Sequence, residues 1–159
     1  MGKYKQVKKQ FTVAESLDIA EIETLRDEMA KRRDNMDGTG LENTRKYESV
    51  SEAAETLDNV DSIDFDDLWT VIKEAGFKDE VGALTFKTIQ FTVRSRRQLP
   101  SRPYRLSNAI GIIYGALDCL EAYLKGKDEE KIRPIQDELG SLRDAVGEIE
   151  SVKFPGMFG

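Results

Sequence analysis

Residues 81–117 read VGALTFKTIQFTVRSRRQLPSRPYRLSNAIGIIYGAL, and this stretch decides the fold. It opens on an alternating run, Ile89 to Arg94, rich in β-branched and aromatic residues, within an extended or strand-like segment predicted over 84–97. It closes on a different period. Leu106, Ile110, Ile113 and Leu117 recur at alternating four and three, and Leu120 and Leu124 continue the stripe, which predicts a helix stopped by Gly126. Between the two lies a basic loop with two prolines, in which Ser101 is placed to cap the helix and Pro103 to sit in its first turn. From Glu80 to Asp118 no carboxylate intervenes, while Lys87, Arg94, Arg96, Arg97, Arg102 and Arg105 do. This is a basic island in a chain of net charge -6.

Downstream, Ile132, Ile135, Leu139, Leu142, Val146 and Ile149 repeat the helical rhythm, with Pro134 near the start or at a kink. The chain then ends in apolar residues without helical spacing, Phe154, Met157 and Phe158 among them. Upstream, Phe65, Leu68, Trp69 and Ile72 predict a short helix ended by Gly76 and Phe77. Further back, Ile22, Leu25, Met29 and Met36 form one helical face from about Ser16, with Ser16 or Asp18 as cap and Gly38 as stop. Tyr47, Val50, Ala54, Leu57 and Val60 form the next, starting near Asn43 or Thr44. Two such helices joined by a short loop make an antiparallel hairpin. The N-terminal Lys3 to Val13 alternates, and its Gln10-Phe11-Thr12-Val13 recurs letter for letter at Gln90-Phe91-Thr92-Val93. With no other strand in sight, the two segments are expected to pair. A lone two-stranded ribbon is marginal in water, so it must pack on the helices or on a second copy.

The expected fold is therefore mainly α: two antiparallel helical hairpins forming a bundle, with a short β-like basic arm and a two-stranded ribbon of 4–13 with 84–95. All 159 residues form one domain. Its parts are a basic segment 1–13, a first hairpin 14–60, a short helix plus basic arm 61–105, a second hairpin 106–152 and an apolar tail 153–159. Gly111 and Gly115 are expected at a close contact between helices.

Composition restricts the chemistry. There is no histidine, which removes the commonest general base and metal ligand. The single Cys119 lies between Asp118 and Glu121 in register, the wrong sign to activate a thiolate, and reads as a small buried hydrophobe. Lysines interrupt the first apolar residues, which argues against a secretory leader. The uncharged stretch 106–117 is too short to span a bilayer. A cytoplasmic location and no membrane partner are expected. No phosphate-binding glycine loop or nucleophile elbow is present. The aspartates of 58–67 lack the glycine and glutamate that a calcium loop needs in any register, and read as helix-capping groups. Catalytic, cofactor-binding and metal-binding residues are all expected to be none, and the protein is expected not to be an enzyme.

The basic island supports two readings. Its arginines pair with acidic helices of the same or a sister chain, or Arg94, Arg96, Arg97, Arg102 and Arg105, with Lys8 and Lys9, line a phosphate-contacting ribbon beside the rings of Phe91 and Tyr104. The net negative charge opposes the second.

The segments Leu25-Arg26-Asp27-Glu28-Met29, Arg33-Asp34-Asn35-Met36, Thr39-Gly40-Leu41-Glu42-Asn43-Thr44, Lys46-Tyr47-Glu48 and Ser51-Glu52-Ala53-Ala54-Glu55 resemble a hairpin of small uncharacterised α-helical proteins encoded by bacteriophages and prophages. The arginine-rich segment before a helical hairpin is similar too. Those proteins often carry tryptophan or tyrosine before Arg33, where this chain has Arg32. The resemblance implies a phage-type setting, in the host cytoplasm, and no catalytic activity.

The expected function is a non-enzymatic protein-interaction protein, a phage-type accessory or inhibitor that self-associates. Arg94, Arg96, Arg97, Arg102, Arg105, Phe154, Met157 and Phe158 are the expected partner-binding residues. Nucleic-acid binding through 94–105 is the alternative.

Overall fold

The computed structural model describes residues 4–41, 44–93 and 100–155. The order is β1 (Tyr4–Thr12), α1 (Val13–Ser16), α2 (Ala20–Met36), α3 (Arg45–Leu57), a 3-10 turn (Asp58–Ser62), α4 (Phe65–Glu74), α5 (Lys78–Gly82), β2 (Thr85–Val93), α6 (Arg102–Leu124) and α7 (Glu129–Glu150). The protein is mainly helical with one small antiparallel sheet of two strands.

The helical stripes read from the sequence are the core. Leu106, Ile110, Ile113, Leu117, Leu120 and Leu124 of α6 are all buried, as are Ile132, Ile135, Leu139, Leu142, Val146 and Ile149 of α7. Each such side chain contributes about 1.5–3 kcal/mol through water exclusion. Helix α6 is central and touches β2, α1, α2 and α7. Arg143 of α7 reaches Asp118 and Glu121 of α6, both at 2.7 Å. Helix α2 packs on α3, and α4 packs on α7.

Local chemistry sets the ends. Thr44 caps α3 by accepting from the Tyr47 amide, and Asp64 caps α4 by accepting from Asp66. After α4, Gly76 takes φ +81 and the Phe77 amide donates back to the Ile72 carbonyl, closing the helix as that glycine predicts. Ser101 stands at the start of α6 but makes no side-chain cap bond; its amide donates instead to the Tyr4 hydroxyl at 2.8 Å. Pro134 lies inside α7, which starts earlier, at Glu129 after the Asp128 cap.

One feature differs from the sequence expectation. Of the two expected caps, Asp18 serves the start of α2, its Oδ1 accepting from the Ala20 amide at 2.9 Å, while Ser16 lies in a separate short turn. Thr12 and Glu15 form a reciprocal capping box, so the chain makes one short helical turn straight out of β1 and restarts at Ala20. Helix α6 begins where Ser101 and Pro103 lead one to expect, at Arg102, and so takes in Arg102 and Arg105, which the division of the chain had assigned to the arm; Pro103 already has the φ that a helix start requires.

Strands β1 and β2 pair antiparallel from Tyr4↔Val93 to Thr12↔Thr85. The ribbon does not rely on itself. The Gly111 and Gly115 positions, expected to face another helix, receive β2. A Cβ on Gly111 would stand 3.8 Å from Thr88 Oγ1, and one on Gly115 would stand 2.5 Å from the Phe86 ring. The strand comes close to α6 at Gly115, where a side chain would strike the Phe86 ring, whereas Gly111 has room for a Cβ.

Candidate functional site

Arg102 and Arg105 project from the first turns of α6 toward α2. Arg105 grips Glu28 with two nitrogens, Nη1 to Oε1 at 3.0 Å and Nη2 to Oε2 at 2.8 Å, and its Nε donates to Glu21 at 2.8 Å. Arg102 Nε adds a bond to Glu28 Oε1 at 2.9 Å. The Arg105 side chain keeps only 13% of its surface in solvent and Glu28 31%. The hydrogen bonds from Arg105, ahead of those from Arg102, hold the Glu28 carboxyl below the ordinary carboxylate range despite its partial burial. The same bonds hold Arg105 above the usual guanidinium value. The bidentate fork is the strong form of this interaction. It fastens α2 to α6, as the first reading of the island expected for these two arginines.

A pH dependence follows. The Glu28 value is lowered by folding, so the contribution of the pair is complete above the ordinary carboxylate range and is lost as pH falls through the depressed value. Glu28→Gln is expected to lower stability at neutral pH by about 1 kcal/mol, allowing for solvent screening at this half-exposed site. It should also flatten the acid side of the stability curve. Urea unfolding at a series of pH values checks this, and an identical acid slope in both proteins would contradict it.

The ribbon carries the other positive charge. Lys5, Lys8, Lys9 and Lys87 are exposed, and among the described residues none of them lies in an ion pair. The ladder also shows which way the backbone faces. The Val13 amide donates to the Leu84 carbonyl at 2.9 Å, extending the register by one bonded pair. Bonded and non-bonded pairs alternate along an antiparallel ladder. Lys5, Val7, Lys9 and Phe11 therefore turn their backbone groups toward β2. Gln6, Lys8 and Gln10 turn theirs away.

The two outer edges have different fates. Helix α6 covers that of β2. Asn108 pairs with Phe91 as a neighbouring strand would, Oδ1 accepting from its amide at 2.7 Å and Nδ2 donating to its carbonyl at 2.9 Å. The buried Gln90 donates Nε2 to the carbonyls of Asn108 at 3.1 Å and Ile89 at 3.3 Å. Cys119 donates its thiol to the Thr85 carbonyl at 3.7 Å, and burial pushes that thiol's pKa up, consistent with an unreactive side chain. Among the described residues, the edge of β1 is met only at its ends. The Thr12 amide donates to Glu15 Oε1, and at the other end Tyr4 stacks on Tyr104 at 4.0 Å between ring centres. Between them Gln6, Lys8 and Gln10 are exposed, and none of the described residues hydrogen-bonds to their outward backbone groups.

Of the other residues expected to bind a partner, Phe154 is half-buried and packed on the core. It lines a groove of about 400 Å³ with Pro103, Leu106, Ile110, Tyr114 and Val152. Arg94, Arg96, Arg97, Met157 and Phe158 lie outside the described residues. The structure thus brings Arg102 and Arg105 together on α2 and places Phe154 elsewhere on α6. Phe91 and Tyr104, expected to offer free ring faces, meet each other edge to face at 5.0 Å.

Among the described residues, no group of three or more acidic, cysteine or histidine side chains is placed to hold a metal. Asp64 serves α4, and Asp61 accepts from Arg26 at 2.6 Å. No described helix is long and apolar enough to cross a membrane. The open edge of β1 was missed in the sequence, although the alternation of Lys5 to Phe11 was the signal for it. Asn108 was missed as well, because a polar residue off the apolar stripe, beside Ser107, does not announce a strand as its partner. Comparison of the chain with protein-family models, with curated proteins and with solved structures gives no match.

Proposed function

We propose that this is a non-enzymatic protein-interaction protein. Two antiparallel helix pairs, α2 with α3 and α6 with α7, form its body, and the basic ribbon forms its contact limb. The resemblance of the first pair to small phage-encoded proteins supports an accessory or inhibitory role. The observation that carries the reading is the division of the positive charge. Arg102 and Arg105 are consumed within the fold by Glu21 and Glu28, while the ribbon lysines stand unpaired beside an open strand edge.

The same division weighs against nucleic-acid binding through 94–105. Two of its five arginines donate to carboxylates, and a chain of net charge -6 loses phosphate affinity steeply with salt. Self-association belongs to the proposal as a separate element. Sedimentation velocity at micromolar concentration tests it, and a monomer throughout removes it alone.

Selection of displayed random peptides on the immobilised full chain tests the main reading. Enrichment of a defined peptide class at physiological salt is expected. Failure to enrich any peptide, with tight salt-sensitive binding of mixed-sequence single-stranded DNA, would overturn it.

A further inference from the structure

We propose that the outer edge of β1, from Gln6 to Gln10, is a docking site for an acidic segment of a partner protein, which adds to the sheet as a third strand. The inference rests on the protein-interaction reading and names the partner's chemistry. Three observations carry it.

The first is the unmet hydrogen-bonding capacity. Gln6, Lys8 and Gln10 present three amides and three carbonyls outward in strand geometry, at the spacing an extended peptide matches. Strand addition of this kind takes its affinity from main-chain bonds and its selectivity from side chains alternating across the edge.

The second is rigidity. An isolated hairpin would lose much of the binding energy in ordering itself. Here β2 is fixed to α6 by Asn108, Gln90 and the Phe86–Gly115 contact, and β1 is paired with β2 along its whole length, so the edge is in place before any partner arrives.

The third is charge, and it selects the occupant. Lys8 projects from one face of the strand, Lys5 and Lys9 from the other, so carboxylates on either face of an added strand meet a lysine. The same lysines reject a second copy of β1. Antiparallel self-pairing in its central registers sets Lys8 against Lys8, Lys9 against Lys9, or Lys5 against Lys9, and like charges directly opposite are destabilising. Edge lysines commonly serve this protective purpose. An acidic strand turns the repulsion into attraction.

The test uses the full chain and a nine-residue peptide alternating Glu and Thr, matched to the nine residues of β1. A Lys–Thr version and a version N-methylated at alternate amides serve as controls. Fluorescence anisotropy is expected to show binding of the acidic peptide alone, weakening with salt. Lys8→Pro removes one outward amide and leaves the β1–β2 ladder its bonds, since Lys8 donates nothing to β2. It should weaken binding about tenfold or more with the thermal melt unchanged. Lys5→Gln with Lys9→Gln should weaken binding and remove most of its salt dependence. Equal binding of the N-methylated peptide, or native affinity in a folded Lys8→Pro protein, overturns the proposal. Binding of single-stranded DNA that survives Lys8→Pro and excludes the peptide does so too. If displayed peptides of another class are enriched and bind Lys8→Pro normally, the interaction reading stands and strand addition fails.

Discussion

Asn108→Leu is expected to lower stability by about 2–4 kcal/mol, with loss of protection at the Phe91 amide in hydrogen exchange. The substitution removes two bonds at once, those to the Phe91 amide and carbonyl at 2.7 and 2.9 Å. Leucine is the better helix former, so the helix itself should gain a few tenths of a kcal/mol. The loss therefore reports the half-buried Phe91 backbone, whose donor and acceptor are left facing a side chain that cannot bond. The bond from Gln90 Nε2 goes to the main-chain carbonyl of residue 108 and survives the substitution, so the loss reports the Phe91 pair alone. Urea unfolding gives the energy. A change below about 1 kcal/mol would mean that water reaches Phe91 freely and that α6 does not close that edge.

The second large effect is a contrast of sign between two glycines on one helix. Gly115→Ala places a Cβ at 2.5 and 2.7 Å from two carbons of the Phe86 ring, closer than atoms approach in proteins. Overpacking of this kind costs about 1–3 kcal/mol and outweighs the gain in helix propensity. Gly111→Ala meets only Thr88 and Gln90 side-chain atoms at 3.8 and 3.9 Å, ordinary contact distance. It should stabilise by up to about 1 kcal/mol, because the helix then loses less backbone entropy on folding. Thermal melts of the two single variants should move in opposite directions. Gly115→Ala combined with Phe86→Leu should recover part of the loss. Equal destabilisation of both positions would argue that the strand is not seated where the contact places it.

These two substitutions probe the seat of β2, and the proposed docking edge depends on that seat. If Asn108→Leu loosens β2, the pre-ordering of β1 goes with it, and peptide affinity should fall in the same variant. Glu28→Gln loosens α2 from α6 while leaving the Asn108–Phe91 pair its bonds, and should leave peptide binding unchanged. The pair of variants therefore separates an effect on the ribbon from a general loss of stability.

Much of this was legible in the chain itself. Apolar residues at helical spacing from Leu106 to Leu124 and from Ile132 to Ile149 specify their helices, because only that period brings them to one face. Thr44, Asp64 and Gly76 mark helix ends through short-range hydrogen bonds and backbone freedom. The alternation of the two ribbon segments and their shared tetrapeptide foretold strands that pair, with the register still open. The Thr12–Glu15 capping box is equally local and marks the short turn α1, while Asp18 marks the start of α2 at Ala20.

The chain's periodicities and caps are local, involving residues a few positions apart, and so they determined the helices, the strands and most of their limits. Which surface each element meets is a matter of distance across the fold, and only the tertiary structure decided it. Nothing near Arg105 in sequence names Glu28 or Glu21 as its partners. Two small residues one turn apart accommodate a helix or a strand equally well, and the Phe86 ring selects the strand. The edge left open on β1 was settled in the same way: α6 could lie along one side of the ribbon only, and it took β2.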